Sequence, residues 1–276
     1  MNLTLIIVIT VVIILLSYVL FRKKINEYFN EINKHLPYRA VIVGCARDIA
    51  VHLPTTKIKL SLIKNLFKES KIIIYENDSS DDTLNILKNW ESENFIQLIT
   101  EKNVKGQRTE RLAHGRNTLY NEAMKNDFDF LIVIDLDNVI QGLTEDSILS
   151  CFSIDEKWAM LGGNQTIEYY DYWALRTYDD WMPFDCWYCV REQGKSLSYC
   201  LDSRRKHIDK DNKPIKVKSC FGGIAIYKRE YLNNCSYGNG IYPGTGNVET
   251  CEHVKFNECV LNNGGDIYIN PKMINH

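Results

Sequence analysis

The stretch that decides the fold is Phe130-Leu131-Ile132-Val133-Ile134-Asp135-Leu136-Asp137, an apolar run that ends in two aspartates. Five consecutive apolar residues are typical of a strand that is buried on both faces, as in a parallel sheet. In extended backbone, side chains two residues apart point the same way, so Asp135 and Asp137 can direct both carboxylates to one point. Such a pair of oxygen ligands suits Mn²⁺ or Mg²⁺.

Similar apolar runs alternate with helical patterns on both sides of this strand. We predict strands at 40–43, 71–75, 95–99 and 130–134, and helices at 55–67, 84–90 and 111–124. This alternation predicts an α/β domain with a mainly parallel central sheet. Ligands bind at the carboxyl ends of the strands in such sheets, and three polar loops follow strand ends here.

Composition excludes several classes of protein. The chain has 276 residues, 33 Lys and Arg against 35 Asp and Glu, and a formal net charge of −2. Bulk nucleic-acid binding needs a surplus of basic residues, so we expect no nucleic-acid partner. Hydrophobic residues make up 45% of the chain, which excludes a mainly disordered protein. The nine cysteines cannot all pair within one chain.

The amino terminus predicts contact with a lipid bilayer. Residues 1–21 contain no charged side chain, and about 20 helical residues span a bilayer core of ~30 Å. Arg22-Lys23-Lys24 follow this span, whereas a signal peptide would start with basic residues and end at a cleavage site. We predict a transmembrane anchor over 1–21, a short stem over 22–37, and a single domain over 38–276.

The two membrane orientations rest on different features of the chain. Basic residues after the span favour a single-pass protein with its domain in the cytosol. The endomembrane lumen is the alternative, where three triplets would be glycosylation acceptors and one or two disulfides would be possible. These triplets are Asn2-Leu3-Thr4, Asn164-Gln165-Thr166 and Asn234-Cys235-Ser236.

The polar loops supply candidate ligands for a nucleotide. Glu76 and Asp78 can accept hydrogen bonds from ribose hydroxyls or a base edge. Asp81 either joins them or caps the helix that follows. Arginines within 106–117 could face a diphosphate, although a solvated helix face is the common alternative.

The order of these motifs resembles that of GT-A glycosyltransferases. An acidic loop that begins Glu76-Asn77-Asp78 precedes Gly115-Arg116-Asn117, and Asp135-Leu136-Asp137 follows. Downstream, Cys220-Phe221-Gly222-Gly223 is similar to the glycine loop of that fold, and Glu252-His253-Val254 is similar to its acidic helix start. The Glu76-Asn77 opening and the arginine-rich helix look closest to the fungal capsule-associated mannosyltransferases.

The resemblance implies metal-dependent transfer of a sugar from a nucleotide-diphosphate sugar to a glycan, glycoprotein or glycolipid acceptor at a membrane. It implies that Asp135, Asp137 and His276 bind Mn²⁺ or Mg²⁺ and that Glu252 and His253 act in catalysis. Inverting members usually carry Asp at the position of His253, so both stereochemical outcomes stay open. The implied donor-binding residues are Ala46, Arg47, Glu76, Asp78, Asp81, Arg111, Arg116 and Asp135.

Many aromatic residues lie in the segment from 169 to 188, between Asp135-Leu136-Asp137 and the glycine loop. Aromatic rings pack against sugar faces, and this part of the related fold contacts the acceptor, although core packing is an alternative for most of them. We predict acceptor contacts at Trp181, Asp185, Trp187, Gly222 and Gly223.

Two other functions fit parts of the same pattern. One is a catalytically inactive, membrane-anchored carbohydrate-binding module. The other is a sugar nucleotidyltransferase, which would usually need a glycine-rich basic loop after the first strand. Gly44-Cys45-Ala46-Arg47 matches such a loop poorly.

Overall fold

A computed structural model of the protein describes residues 17, 18, 22 and 36–276. Apart from those first three residues, the predicted anchor and most of the predicted stem lie outside the described residues. Across the part of the chain that is described, no helix combines the length and the apolar character needed to cross a membrane.

Strands and helices alternate through the first half of the domain and become shorter and less regular in the second. The strands are β1 (Leu36–Ala46), β2 (Phe67–Asn77), β3 (Gln97–Glu101), β4 (Phe130–Ile134), β5 (Met160–Asn164), β6 (Ile215–Val217), β7 (Ile224–Lys228) and β8 (Ile267–Ile274). The helices are α1 (Leu53–Leu66), α2 (Thr83–Ser92), α3 (Arg108–Ala123), α4 (Glu145–Leu149), α5 (Cys186–Arg191), α6 (Leu197–Cys200) and α7 (Glu252–Asn262).

The eight strands form one sheet in the order β3-β2-β1-β4-β7-β5-β8-β6. The first four strands are parallel, so their carboxyl ends meet at one edge. Beyond them β7 runs antiparallel to both β4 and β5, and β8 runs parallel to β5. The predicted α/β domain is confirmed, with its parallel part confined to one half of the sheet and to the β5–β8 pair.

The sheet separates two apolar layers. Val41 and Val43 of β1 face a cluster that includes residues of α3 and α7, whereas Ile42 faces the opposite cluster beneath α1. This alternation is the two-residue period of a strand that is buried on both faces. Both faces of the central strands are therefore covered, and their polar ends form the accessible edge.

Two disulfides lie in the second half of the domain. Cys189 pairs with Cys200 and thereby joins α5 to α6. Cys235 pairs with Cys259 and ties the segment after β7 to α7. The other five cysteines have free thiols, in agreement with the odd number of cysteines.

Loss of the Cys235–Cys259 disulfide should destabilise the domain, because the unfolded chain regains the freedom of a loop with a sequence separation of 24. For the Cys235→Ser/Cys259→Ser variant we expect a loss of about 2–4 kcal/mol, or a drop in Tm of roughly 5–15 °C by differential scanning calorimetry. Cys235→Ser alone is the matched control and should show a similar loss, since it breaks the same bond. A variant with unchanged Tm would contradict this bond.

Candidate active site

The aspartate pair lies at the carboxyl end of β4, at the edge where the parallel strands end. Leu136 is buried between the two aspartates, and its carbonyl accepts a hydrogen bond from the Thr56 hydroxyl at 2.7 Å. Burial of Leu136 leaves the partly exposed Asp135 and Asp137 at the accessible edge. The Asp137 carboxylate also accepts from the Val139 backbone N–H at 3.2 Å, which fixes the turn that follows.

A buried arginine joins this loop to helix α7. The Arg116 side chain, which lies on α3, donates from Nε to Glu252 Oε1 at 2.8 Å and from Nη2 to Asp135 Oδ1 at 3.0 Å. The guanidinium carbon also lies 5.0 Å from the centre of the Phe221 ring. Residue Arg116 is only 4% exposed, and its Nη1 atom has no partner among the described residues.

The sequence Gly115-Arg116-Asn117 explains how this arginine reaches the site. A side chain at position 115 would meet the Tyr75 ring at 2.7 Å, so only glycine lets α3 approach β2 so closely. On the far side of Arg116, Asn117 accepts from the Tyr237 backbone N–H at 2.8 Å and donates to the Gly238 carbonyl at 3.2 Å. These contacts fix α3 against the sheet on one side and against the segment before α7 on the other.

The environment of Asp135 carries excess negative charge. Burial raises its pKa to about 6, and the carboxylates of Asp137 and Glu252 add to this rise although Arg116 opposes it. A bound cation would remove this penalty. Two carboxylates are a donor set that fits Mg²⁺ or Mn²⁺ when phosphate oxygens and water complete the coordination.

The predicted third metal ligand is not part of this set. Among the described residues, no three His, Cys, Asp or Glu side chains are close enough to hold a metal ion. His276 is exposed, and it is its main-chain carbonyl that is held, by the Thr166 backbone N–H at 2.8 Å and the Thr166 hydroxyl at 2.7 Å. The predicted triad is therefore not assembled in this structure, and metal binding by the remaining pair, Asp135 and Asp137, stays a prediction.

The glycine loop supports the aspartate pair from the neighbouring strand. Gly222 has φ +72°, and a side chain there would meet the Gly163 carbonyl oxygen at 2.4 Å, so the turn requires glycine. The Gly223 carbonyl accepts from the Asp135 backbone N–H at 2.9 Å. Both predicted glycines thus lie beside the loop that carries Asp135 and Asp137, where they help to fix its backbone.

The acidic loop after β2 is held mainly by its own hydrogen bonds. Buried Glu76 accepts from the Ser79 backbone N–H at 2.9 Å. Asp78 accepts from the backbone N–H groups of Asn103 and Val104, and these bonds, together with one from Asn77, lower its pKa. These carboxylates therefore fix the rim of the site, and their contact with a nucleotide stays a prediction.

The other predicted donor contacts lie around the same rim. Ala46 is buried at the end of β1, and the exposed Arg47 lies beside Asp48. Asp81 accepts from the Thr83 backbone N–H at 2.9 Å, so its expected capping role at the start of α2 is present. Arg111 donates to the Gly106 carbonyl in the loop before α3.

The predicted catalytic pair is largely shielded from solvent. Glu252 is buried in its ion pair with Arg116. His253 is 1% exposed, and its ring stacks on Phe221 with a centroid distance of 3.8 Å. Burial and the nearby Arg116 charge lower the pKa of His253 well below its usual value, so the imidazole is neutral. An acceptor hydroxyl has no access to the His253 ring in this arrangement.

The predicted acceptor residues are divided between the core and a cavity wall. Trp181 is buried against Tyr169 and Tyr172 and donates from its indole nitrogen to the Arg204 carbonyl at 2.7 Å. Core packing, the alternative given for these rings, describes Trp181. The half-buried Trp187 stacks on Trp173 with a centroid distance of 4.2 Å.

Asp185 is buried in the wall of a cavity of about 690 Å³. It accepts from the Thr250 hydroxyl at 2.7 Å and from the Tyr188 backbone N–H at 3.0 Å, and it pairs with Arg176. Aromatic side chains from two segments and the outer face of α7 complete the wall. The cavity is lined by Phe184, Tyr237, Tyr242, Val254, Lys255 and Glu258, among others.

Sequence patterns missed two residues that contribute to the site. Gln165 is buried and bridges the Gly222 carbonyl at 2.7 Å and the Asn275 side chain at 2.9 Å. The Asp171 carboxylate accepts from the Ala174 backbone N–H at 3.3 Å, and the preceding residue Tyr170 donates its backbone N–H to Gln165 at 2.8 Å. Gln165 follows β5 directly, but its triplet predicts only glycosylation, and Asp171 belongs to no motif, so the folded loop is what identifies both.

Asp171 should make stability depend on pH. Burial raises its pKa from 3.8 to about 7, and the carboxylates of Asp135 and Glu252 add to this rise. The native state therefore binds more protons than the unfolded state, and its stability falls as the pH rises from about 4 to about 7. For Asp171→Asn we expect a gain in Tm over wild type that grows between pH 5 and pH 8, measured without metal or nucleotide.

The matched control for this measurement is Asp180→Asn, because Asp180 is an exposed aspartate in the same segment. Its Tm difference from wild type should stay constant with pH. A constant difference for Asp171→Asn as well would contradict a raised pKa at that residue.

Comparison with known proteins identifies one family and several distant structures. The sequence profile of the family described as Cryptococcal mannosyltransferase 1 matches residues 47–262. No curated protein matches the chain.

Three solved structures illustrate the structural similarity. Residues 1–349 of TarS from S. aureus are 13% identical, with a TM-score of 0.44, 84% of this chain covered and 57% of that chain. Mannosyltransferase PcManGT from Pyrobaculum calidifontis, in complex with GDP-Man and Mn²⁺, is 12% identical, with a TM-score of 0.44. The match covers 95% of this chain and 66% of that chain. Glucosyl-3-phosphoglycerate synthase from Mycobacterium tuberculosis, in complex with Mn²⁺, UDP and glucosyl-3-phosphoglycerate, is 12% identical, with a TM-score of 0.40 and coverage of 72% and 59%. The chain thus spans less than two thirds of each of these structures.

Proposed function

This chain belongs to the Cryptococcal mannosyltransferase 1 family and is a glycosyltransferase, and from that premise we propose that it transfers mannose from GDP-mannose to a hydroxyl group of a carbohydrate acceptor. The family match confirms the resemblance to the fungal capsule-associated mannosyltransferases. The choice of mannose rests on the family description, and GDP-mannose is the common activated form of that sugar.

The observation that carries this proposal is the Arg116 guanidinium, which is buried with one nitrogen unpartnered among the described residues. A buried N–H without an acceptor costs free energy, so this site favours a ligand that brings an oxygen atom to it. The Nη2 and Nε atoms of the same side chain are already used by Asp135 and Glu252. An oxygen of a bound sugar nucleotide, from phosphate or sugar, would give Nη1 the acceptor that it lacks.

The aspartate pair supplies the second part of the donor site. Asp135 and Asp137 would hold a divalent cation, which when bound would offset the negative charge of the diphosphate and of the departing nucleotide. The nucleoside would lie along the rim formed by the ends of β1 and β2, near Arg47, Glu76 and Asp78. In this arrangement the sugar would lie at the inner end of the donor, toward Arg116.

The acceptor would occupy the cavity of about 690 Å³ beside α7. Its wall combines the rings of Phe184, Tyr237 and Tyr242 with charged groups such as Lys218 and Glu258. Aromatic faces pack against the C–H surfaces of sugars, and charged groups bind their hydroxyls. Tyr237 also borders the donor site, because its ring packs edge-on against His253 at a centroid distance of 5.6 Å.

The proposal predicts release of GDP from GDP-mannose that depends on Mn²⁺ and on the aspartate pair. The full-length protein would be incubated with GDP-mannose, with and without methyl α-mannoside as acceptor, and GDP and the mannosylated product would be measured. We expect Asp137→Ala to lower the rate at least 100-fold, since it removes one of two carboxylates that bind the cation.

The matched control is Asp211→Ala, because Asp209-Lys210-Asp211 is another Asp-x-Asp motif on an exposed part of the chain. It should leave the rate unchanged. Formation of GDP-mannose from mannose 1-phosphate and GTP would instead indicate the nucleotidyltransferase. Binding of GDP-mannose without any turnover would indicate an inactive binding module.

We also propose that the domain lies in the lumen of an endomembrane compartment, held there by the predicted anchor over residues 1–21. Support comes from the two disulfides, because such bonds are rare in the reducing cytosol. Asn234 of the Asn234-Cys235-Ser236 triplet is exposed, whereas Asn164 is fully buried and donates to main-chain carbonyls. The basic residues after the span favour the opposite orientation, with the domain in the cytosol.

A lumenal domain should carry an N-glycan at Asn234 when the full chain is expressed in a eukaryotic cell. We expect treatment with an N-glycosidase to shift the protein to lower mass on a gel. The shift should diminish in both Asn234→Gln and Ser236→Ala, which break the same acceptor triplet in different ways. A domain without glycan, whose nine cysteines all react with maleimide before reduction, would place it in the cytosol.

A further inference from the structure

Asp171 lies in a loop that is bonded to the glycine turn of the candidate site. Tyr170, which precedes it, donates its backbone N–H to Gln165 Oε1 at 2.8 Å, and the Gln165 amide donates to the Gly222 carbonyl at 2.7 Å. The next residue of that turn, Gly223, accepts from the Asp135 backbone N–H at 2.9 Å.

The Asp171 carboxylate accepts from the Ala174 backbone N–H at 3.3 Å, which restrains its position. Asp171 is half-buried and still borders open space. It therefore belongs to the wall of the candidate site.

Asp171 has no oppositely charged partner among residues 36–276. Among the described residues, no Lys, Arg or His nitrogen forms an ion pair with it, whereas Asp135 and Glu252 share Arg116. The carboxylates of Asp135 and Glu252 both act on Asp171, and together with burial they raise its pKa to about 7. Asp171 in turn acts on the buried thiols of Cys220 and Cys251, which are neutral because burial raises their pKa values.

An unused hydrogen-bond donor lies in the same site. Nη1 of Arg116 has no partner among the described residues, and this side chain contacts the same Asp135 and Glu252 whose charges act on Asp171. Arg116 Nη1 can therefore donate a hydrogen bond to a ligand, and Asp171 can accept one. A diphosphate has acceptor oxygens only and would be repelled by Asp171, whereas a sugar hydroxyl both accepts and donates.

We propose that Asp171 accepts a hydrogen bond from a hydroxyl of the transferred sugar and thereby determines which sugar the enzyme uses. This inference rests on the proposed function, because it assigns the sugar end of the same donor. Arg116 would donate to an oxygen of that ring from the other side. A sugar that lacks the hydroxyl, or presents it in another direction, would leave the Asp171 carboxylate desolvated without a partner. Sites that hydrogen-bond a substrate hydroxyl discriminate strongly against such sugars.

The test compares the binding of GDP-mannose with that of GDP, which lacks the sugar. Isothermal titration calorimetry of the full-length protein with Mn²⁺ would give both affinities for wild type, Asp171→Ala and Asp171→Asn. We expect Asp171→Ala to lower the affinity for GDP-mannose about 10- to 100-fold relative to that for GDP. The affinity for GDP itself should change by less than about threefold. Asp171→Asn keeps the shape of the side chain and its acceptor oxygen, so it should lose less.

A second measurement reports selectivity directly. The preference of the wild type for GDP-mannose over GDP-glucose, which differ at one ring hydroxyl, should narrow at least tenfold in Asp171→Ala. An unchanged preference would contradict a role of Asp171 in the choice of sugar, even where the loss of binding relative to GDP is retained. Asp180→Ala, an exposed aspartate of the same segment, is the control and should leave every affinity unchanged.

The outcomes separate this inference from the proposed function. If wild type binds GDP-mannose but Asp171→Ala binds it equally well, only the inference is overturned. Equal weakening of GDP and GDP-mannose would also overturn it, since Asp171 would then support the shape of the whole site. If wild type binds neither nucleotide, the proposed donor is wrong and the inference fails together with it.

Discussion

The active site depends on one buried guanidinium that is shared by two carboxylates from distant parts of the chain. Arg116 comes from α3, Asp135 from the end of β4 and Glu252 from the start of α7. Removal of one partner of a buried ion pair leaves a charge without compensation, which is far more costly than the pair itself is stabilising. The relative positions of two helices and one strand are therefore fixed by the need to keep these three charges together.

The glycine turn extends this constraint to the opposite side of the site. The carbonyl of Gly223 accepts from the Asp135 backbone N–H, and the carbonyl of Gly222 accepts from the Gln165 side chain. β7 runs antiparallel to β4, so the turn before it lies at the same edge where the parallel strands end. The reversal of one strand in the middle of the sheet thus brings a second wall to the aspartate pair.

The sequence predicts the first half of this molecule well and the second half poorly, for physical reasons. β1, β2 and β4 contain continuous apolar runs, because side chains on both faces of these strands are buried. The segment from 165 to 214 has no such run, since it is held by a disulfide and by side chains that bond to the main chain. Trp181, predicted as an acceptor contact with core packing as the alternative, is therefore buried without a periodic pattern to show it, and the position of Asp171 follows only from its loop.

The cavity wall has a different origin from the donor site. Its rings come from the irregular segments around Phe184 and Tyr242, and each disulfide anchors one neighbouring segment: Cys189–Cys200 the first and Cys235–Cys259 the second. None of these residues is a strand residue of the parallel half of the sheet. Substitutions of the wall residues that contact neither Asp185 nor His253 leave the ion pairs of Arg116 intact, so under the proposed function lineages that share this scaffold can diverge in their acceptor while the activated sugar stays the same.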